Sequence, residues 1–357
     1  MGKPVLLCRD GPAPGLASQR SAETMNTMTT LTPVLAAAPG QAAAPRCAPA
    51  WRAPLGVLLV GMVACTLLPD QLGLMTRIFI TALFVLSLDL VVGVAGLATL
   101  GHAALFGMGA YAAGIFALQV HPDPLVGLAV GIAAGAGLAV LSGAFLLRFQ
   151  GFTFLMLTVA ISQILLSLAQ KARHWTGGDD GLSGFVMGPL LGRFEFDLEG
   201  RAAALYALVV LAVLFYVARR IVDSPFGLAV RGIHENRARM AALGTPVFAR
   251  LWVLYTVAGA MAGAAGALSA QTNAVVGMDS LSFALSAEAL VMLILGGAGR
   301  LTGALIGATV FTVLHHTAAS INPYHWLFVV GALLMLVVLV SPAKAWAWLR
   351  RRSGGAR

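Results

Sequence analysis

DLVVGVAGLATLGHAA, residues 89–104, is the stretch on which the fold turns. It joins two apolar runs, 72–92 and 103–120, and glycines at 93, 96 and 101 interrupt it. Each flanking run approaches the roughly 20 apolar residues that a helix needs to cross a bilayer. Broken backbone at membrane depth is tolerated only where it is buried in protein or lines a cavity. Asp89 and His102 lie in the same stretch, and an ionisable residue at that depth points to function by default. Two readings stay open. Freed backbone groups, with Asp89, Gly93, Gly96 and His102, can meet a polar solute on a translocation path. The alternative is a tight turn between two spans, with Asp89 capping or pairing locally.

Working outward, the chain has 357 residues, 59% of them hydrophobic and only 10% charged. An ordinary soluble domain is about 25% charged, so too few polar side chains exist to coat soluble domains of this total length. Ten apolar segments follow in order: 55–68, 72–92, 103–120, 124–147, 152–170, 202–218, 251–270, 283–296, 302–318 and 326–341. The segments 55–68 and 283–296 are the weakest. No strand-like alternation dominates, so helices are the way to satisfy the backbone in lipid. The expected fold is an all-α polytopic membrane bundle of about eight to ten spans. Small-xxx-small steps at Gly127, Gly131 and Gly135, at Gly259 and Gly263, and at Gly303 and Gly307 predict close helix packing.

The net charge of +9 would suggest nucleic-acid binding in a soluble protein. Here its distribution describes a topology instead. Residues 1–52 carry five basic and two acidic side chains, 219–250 six and two, 344–357 five and none, and 171–201 four and five. Positive flanks face the cytoplasm. Ten spans with both termini inside place 219–250 inside and 171–201 outside. The expected organisation is a disordered Ala/Pro-rich tail over 1–50, a membrane domain over 51–343 with a cytoplasmic loop at 219–250, and a basic cytoplasmic tail over 344–357. The first 50 residues lack the apolar core of a signal peptide, and Met25 and Met28 are alternative starts to Met1.

Several chemistries are excluded. There is no G-x-x-x-x-G-K-[ST], so this chain has no P-loop for ATP. HExxH and GxSxG are also missing, and no catalytic residue is nominated. Cys8, Cys47 and Cys65 have neither zinc nor disulfide spacing, and no metal site is expected. Gly297-x-Gly299 follows no strand, so it is not a dinucleotide loop. Three further segments are candidates. The loop Thr176, Gly177, Gly178, Asp179, Asp180 is turn-forming and lacks calcium-loop spacing; it is a docking loop or a solvated turn. Ala229–Leu243 has helical composition, ended by Gly244-Thr-Pro. That helix either rests on anionic headgroups or docks a soluble partner. Glu288 lies inside an apolar run and is a site candidate, or it pairs structurally with Arg300. His315 and His316 read as interface histidines.

The segments VVGVAGLATLGHAALFGMGAYAAG (91–114), FTFLMLTVAISQILLSLA (152–169), TGGDDGL (176–182), SPFGLAVRGIHENRARMAALG (224–244) and ALSAEALVMLILGGAGRLTGALIGA (284–308) together resemble the LivM type of branched-chain amino acid ABC transporter permease. The resemblance implies an ABC importer permease bundle in the bacterial inner membrane. It implies a LivH-like second permease, two cytoplasmic ABC ATPases that bind ATP and Mg, and a periplasmic substrate-binding protein. Membrane lipid is the remaining partner, and this chain needs no cofactor of its own. The stretch 224–244 matches the helix that couples such permeases to the ATPase, through Arg231, Glu235, Arg237, Ala242 and Gly244. This chain is more basic there than the family, with Arg237 and Arg239. It also has Asp89 where the family usually has Asn. From the residues alone, an ion-coupled secondary transporter using Asp89 and Glu288 is the rival reading.

Overall fold

The computed structural model describes residues 52–67, 71–184, 188, 200–321, 331 and 335. The N-terminal stretch 1–50 and the basic stretch 344–357 lie outside these residues, as does 326–341 apart from Gly331 and Met335. The main helices are α1 (Arg52–Leu67), α2 (Leu72–Asp89), α3 (His102–Gln119), α4 (Pro124–Leu146), α5 (Phe152–Lys171), α6 (Arg201–Val222), α7 (Pro225–Glu235), α8 (Arg237–Ala242), α9 (Val247–Asn273), α10 (Phe283–Gly296) and α11 (Leu301–Ile321). Nine of the ten apolar segments are therefore helical. Among the described residues six helices are long and apolar enough to cross a membrane: Leu72–Val94, α4, α5, α6, α9 and Leu301–Ser320. The two weakest segments correspond to short apolar helices, Pro54–Leu67 and α10. The chain is an all-α, multi-pass membrane protein.

α2 and α9 form the middle. Their apolar windows are 78% and 72% buried, against 28% for α4 and 22% for α5. Both middle helices are apolar on every face, which suits a helix surrounded by others. Peripheral helices instead expose large apolar side chains, including Val60 on α1, Phe152, Ile164 and Leu168 on α5, and Val213 on α6. Such surfaces need lipid or a partner subunit as solvent.

The glycine steps make the main seam. α9 packs most extensively on α4 and α3. A Cβ at Gly135 would come 2.5 Å from the Gly259 carbonyl oxygen, and one at Gly263 would strike Gly131. Only glycine lets these backbones approach so closely.

α9 is 27 residues long, about 40 Å at 1.5 Å per residue. It starts beside α8. It ends beside a two-stranded antiparallel ribbon, in which β1 (Leu182–Ser183) pairs with β2 (Val275–Val276). The α7–α8 pair and the ribbon therefore lie at opposite ends of the bundle.

One helix differs from the sequence reading. The segment expected as Ala229–Leu243 begins earlier, at Pro225, and is two helices. The Ser224 hydroxyl accepts from the Gly227 N–H at 3.3 Å, and proline at the first position is pre-set for a helix. Asn236 then breaks the run and caps α8, its Oδ1 accepting from Arg239 N–H at 2.9 Å. Asn is a preferred cap because its short amide competes with the helix backbone.

Candidate functional site

At the α7–α8 end, the glycine-broken stretch forms a buried knot. After Asp89 the helix widens into a π turn, Leu90–Val94. The Asp89 side chain is fully buried. Its Oδ1 accepts from the Gly299 N–H at 2.7 Å, bridging the 210 residues between them. Oδ2 has no hydrogen-bond partner among the described residues. A Cβ on Gly93 would sit on Asp89 Oδ1 and on the Gly299 nitrogen, so glycine is what admits this bond. The exposed Arg231 of α7 lies near enough for its charge to attract the Asp89 carboxylate. Gly96 has a positive φ of 71°, and its open face is filled by the His234 ring of α7.

The rest of the broken stretch is satisfied inside the protein. Leu97 N–H bonds to Val91 O at 3.0 Å. Leu100 N–H donates to Thr158 Oγ1 at 3.3 Å. Ala103 N–H, in the first turn of α3, donates to Ser286 Oγ at 2.9 Å. His102 is buried, stacked on Phe84 with ring centroids 5.5 Å apart. The Ser87 hydroxyl donates its one proton to Phe84 O at 2.6 Å. The 2.8 Å contact between Ser87 Oγ and His102 Nε2 therefore has the histidine as donor. Asp89 and His102 are thus buried, whereas Gly93 is half-buried and Gly96 exposed beside α7.

At the ribbon end, a cavity of about 470 Å³ opens between α2, α3, α6, α9, α10 and α11. Glu288 lines it, with Arg77, Thr81, Asp279, Thr312 and His315 among the other polar residues. Phe84, Phe106 and Phe311 supply aromatic wall. Thr81 and Thr312 hydroxyls meet across α2 and α11 at 3.2 Å. Of the residues singled out from sequence, Glu288 and His315 line this cavity. Glu288 forms no ion pair with Arg300 among the described residues, and Arg77 shares its cavity instead. Arg77 and Asp279 escaped the sequence reading. A single basic residue inside the apolar run 72–92 was the signal for Arg77. For Asp279 the sequence carried none, because only the return of the chain after β2 brings it to α2.

The loop 176–182 is stitched to this same end. The Thr176 hydroxyl contacts Ala169 O at 2.6 Å, the Gly178 N–H reaches back to Thr176 Oγ1 at 3.3 Å, and Gly177 is left-handed at φ 77°. Asp180 is exposed, and Leu182 carries the chain into the ribbon. The backbone of Asp179 lies in a short 3₁₀ turn with Gly178 and Asp180.

On the α7–α8 pair, Val230 and Ile233 are buried, while Leu228, Arg231, Glu235, Ala242 and Leu243 face outward. Arg237 turns back instead. Its Nη2 donates to Leu147 O, at the end of α4, at 3.4 Å, and partial burial pulls its guanidinium below the ordinary arginine range. Gly244 has φ 81°. Its N–H bonds to Ala241 O at 3.0 Å, and Thr245 N–H bonds to Met240 O at 3.1 Å. These are the two bonds of a Schellman helix stop, which favours glycine at this position. Among the described residues no group of three or more His, Cys, Asp or Glu side chains is placed to hold a metal ion.

The family model for the permease component of the branched-chain amino acid transport system matches residues 71–338. The chain belongs to this family. The permease is 28% identical over 302 residues to the high-affinity branched-chain amino acid transport permease LivM of Salmonella typhimurium, covering 76% of this chain and 68% of that protein. It is 28% identical over 286 residues to LivM of Escherichia coli, covering 72% of this chain and 65% of that protein. The chain thus spans about two thirds of the length of these relatives. It is also 24% identical over 311 residues to the ribose import permease RbsC of Escherichia coli, covering 81% of this chain and 92% of that protein. No solved structure shows a significant match. The permease is a membrane-spanning subunit of an ABC importer, and its role is transport.

Proposed function

We propose that this permease forms one half of the membrane pathway of an importer for branched-chain or related amino acids in the bacterial inner membrane. A LivH-like permease supplies the other half. A periplasmic binding protein delivers the solute to the ribbon end, which faces outward. Two cytoplasmic ATPases, with their own ATP and Mg, drive transport from the α7–α8 end, and both termini are inside. The observation that carries this reading is the direct contact of α7 with the knot. His234 fills the open face of Gly96, and Arg231 attracts Asp89. Asp89 in turn holds the α10–α11 loop through Gly299. A push on α7 therefore reaches α2, α10 and α11 together, and these helices line the cavity at the far end. A switch between two near-complete states needs roughly 5 kcal/mol of differential interaction, which ATP-driven closure of the ATPases supplies. Residues Arg231, Glu235, Ala242 and Gly244 form the coupling surface, with Leu243 as an exposed apolar contact. Thr176 to Asp180 present the outer docking loop.

The test is uptake by the reconstituted importer of two permeases, two ATPases and the binding protein. ATP-dependent amino-acid uptake that vanadate stops is the expected result. Uptake driven by an ion gradient without ATPases overturns the proposal in favour of ion coupling.

A further inference from the structure

The cavity at the ribbon end carries a charge pattern that neither the family nor the relatives assign. Arg77 enters it from α2 and Glu288 from α10. Neither forms an ion pair among the described residues. Asp279 adds a second carboxylate at the wall. Arg77 and Asp279 are exposed and Glu288 is half-buried, so one chamber presents charges of both signs to an entering solute.

The hydroxyls decide which end of a ligand goes where. Thr76 donates to Leu72 O at 2.9 Å, Thr81 to Arg77 O at 2.8 Å, and Thr272 to Leu268 O at 2.9 Å. A hydroxyl whose proton is already engaged can only accept. These three hydroxyls therefore present acceptors to the cavity, beside the carboxylates of Glu288 and Asp279. Such a wall suits an ammonium group with three protons to give. The guanidinium of Arg77 is the fork-shaped donor that suits a carboxylate. Phe84, Phe106 and Phe311 offer apolar surface to a side chain. The volume of about 470 Å³ lies within the range of small-molecule sites, roughly 300–1,000 Å³.

We propose that this cavity is a solute site within the permease itself, which holds an α-amino acid zwitterion with its carboxylate on Arg77 and its ammonium on Glu288 and Asp279. The permease then takes part in selection rather than passing whatever the binding protein delivers. The inference rests on the amino-acid reading above.

The complete importer, with binding protein and ATPases, is reconstituted in proteoliposomes. It is supplied with a labelled mixture of the common amino acids or, separately, with labelled ribose. Arg77→Gln and Glu288→Gln should each lower ATP-driven amino-acid uptake at least tenfold, while co-purifying with the partner subunits and melting within a few degrees of wild type. Arg77→Lys and Glu288→Asp, which keep the charge, should recover a substantial part. Wild-type uptake in both Gln variants overturns the site and leaves the amino-acid reading standing. Loss of uptake together with loss of co-purification assigns the pair to packing and overturns the site as well. Wild-type import of ribose without amino acids overturns both.

Discussion

Asp89 and Glu288 are both acidic residues inside apolar helices, and the tertiary structure uses them in opposite ways. Asp89 is wholly enclosed, and one of its oxygens is engaged by a backbone N–H. Glu288 faces a chamber that also holds Arg77. The first carboxylate acts as a backbone acceptor that joins two parts of the chain, so an amide oxygen can take its place. The second has no hydrogen-bonded partner of that kind among the described residues, and there the charge itself is what a ligand can use. A buried acid in a membrane helix is thus ambiguous until its nearest donor is known.

The contrast breaks most visibly at Gly93. Gly93→Val forces a branched side chain into the space of the Asp89–Gly299 bond. It should cost about 3 kcal/mol or more, toward the upper end of overpacking, and leave little folded permease by fluorescence-detected size exclusion. Normal yield and melting in that variant would show that the knot is looser than described. Next in size is Asp89→Leu, which strands the Gly299 N–H and should destabilise by about 1–3 kcal/mol, read as a lowered Tm in detergent. Asp89→Asn keeps an acceptor and should stay within about 1 kcal/mol of wild type, with uptake retained. If Asp89→Asn instead loses uptake as severely as Glu288→Gln, the two carboxylates do the same job and the comparison collapses.

Smaller effects sharpen the α7–α8 end. Gly244→Ile places a β-branched residue at positive φ, a strain of about 1–2 kcal/mol confined to the stop of α8. Uptake should fall while ATP hydrolysis by the complex continues; coupled transport at the wild-type rate would remove Gly244 from the coupling surface. Arg237→Ala loses one long bond to the end of α4, at 3.4 Å. Its effect should not exceed about 1 kcal/mol, and a Tm shift beyond several degrees would mean that Arg237 anchors more than Leu147.

Much of the fold was legible because membrane burial leaves a plain mark. Nine of the ten apolar runs are helices, and the weakest two are the short ones. The glycine steps at 131, 135, 259 and 263 meet in one seam, as their spacing indicated. The site was less legible. Asp89, Gly93, Gly96 and His102 were grouped by nearness in sequence; Asp89 and His102 are buried, while Gly96 is exposed against α7. The cavity draws on six helices from residue 73 to residue 315, and no local pattern announces such a gathering. Arg77 and Asp279 joined Glu288 only through packing.

By itself, the sequence settled what each segment is. Apolar length makes spans, glycine spacing makes close seams, and Gly244-Thr-Pro ends α8, whereas the caps Ser224 and Asn236 emerged with the structure. These are local matters, since backbone satisfaction in lipid is decided residue by residue along one helix. Tertiary structure decided what each charge does. The cost of a buried carboxylate depends on whichever donor or cation packs beside it. For Asp89 that is the Gly299 N–H, 210 residues away, and for Glu288 it is the chamber shared with Arg77.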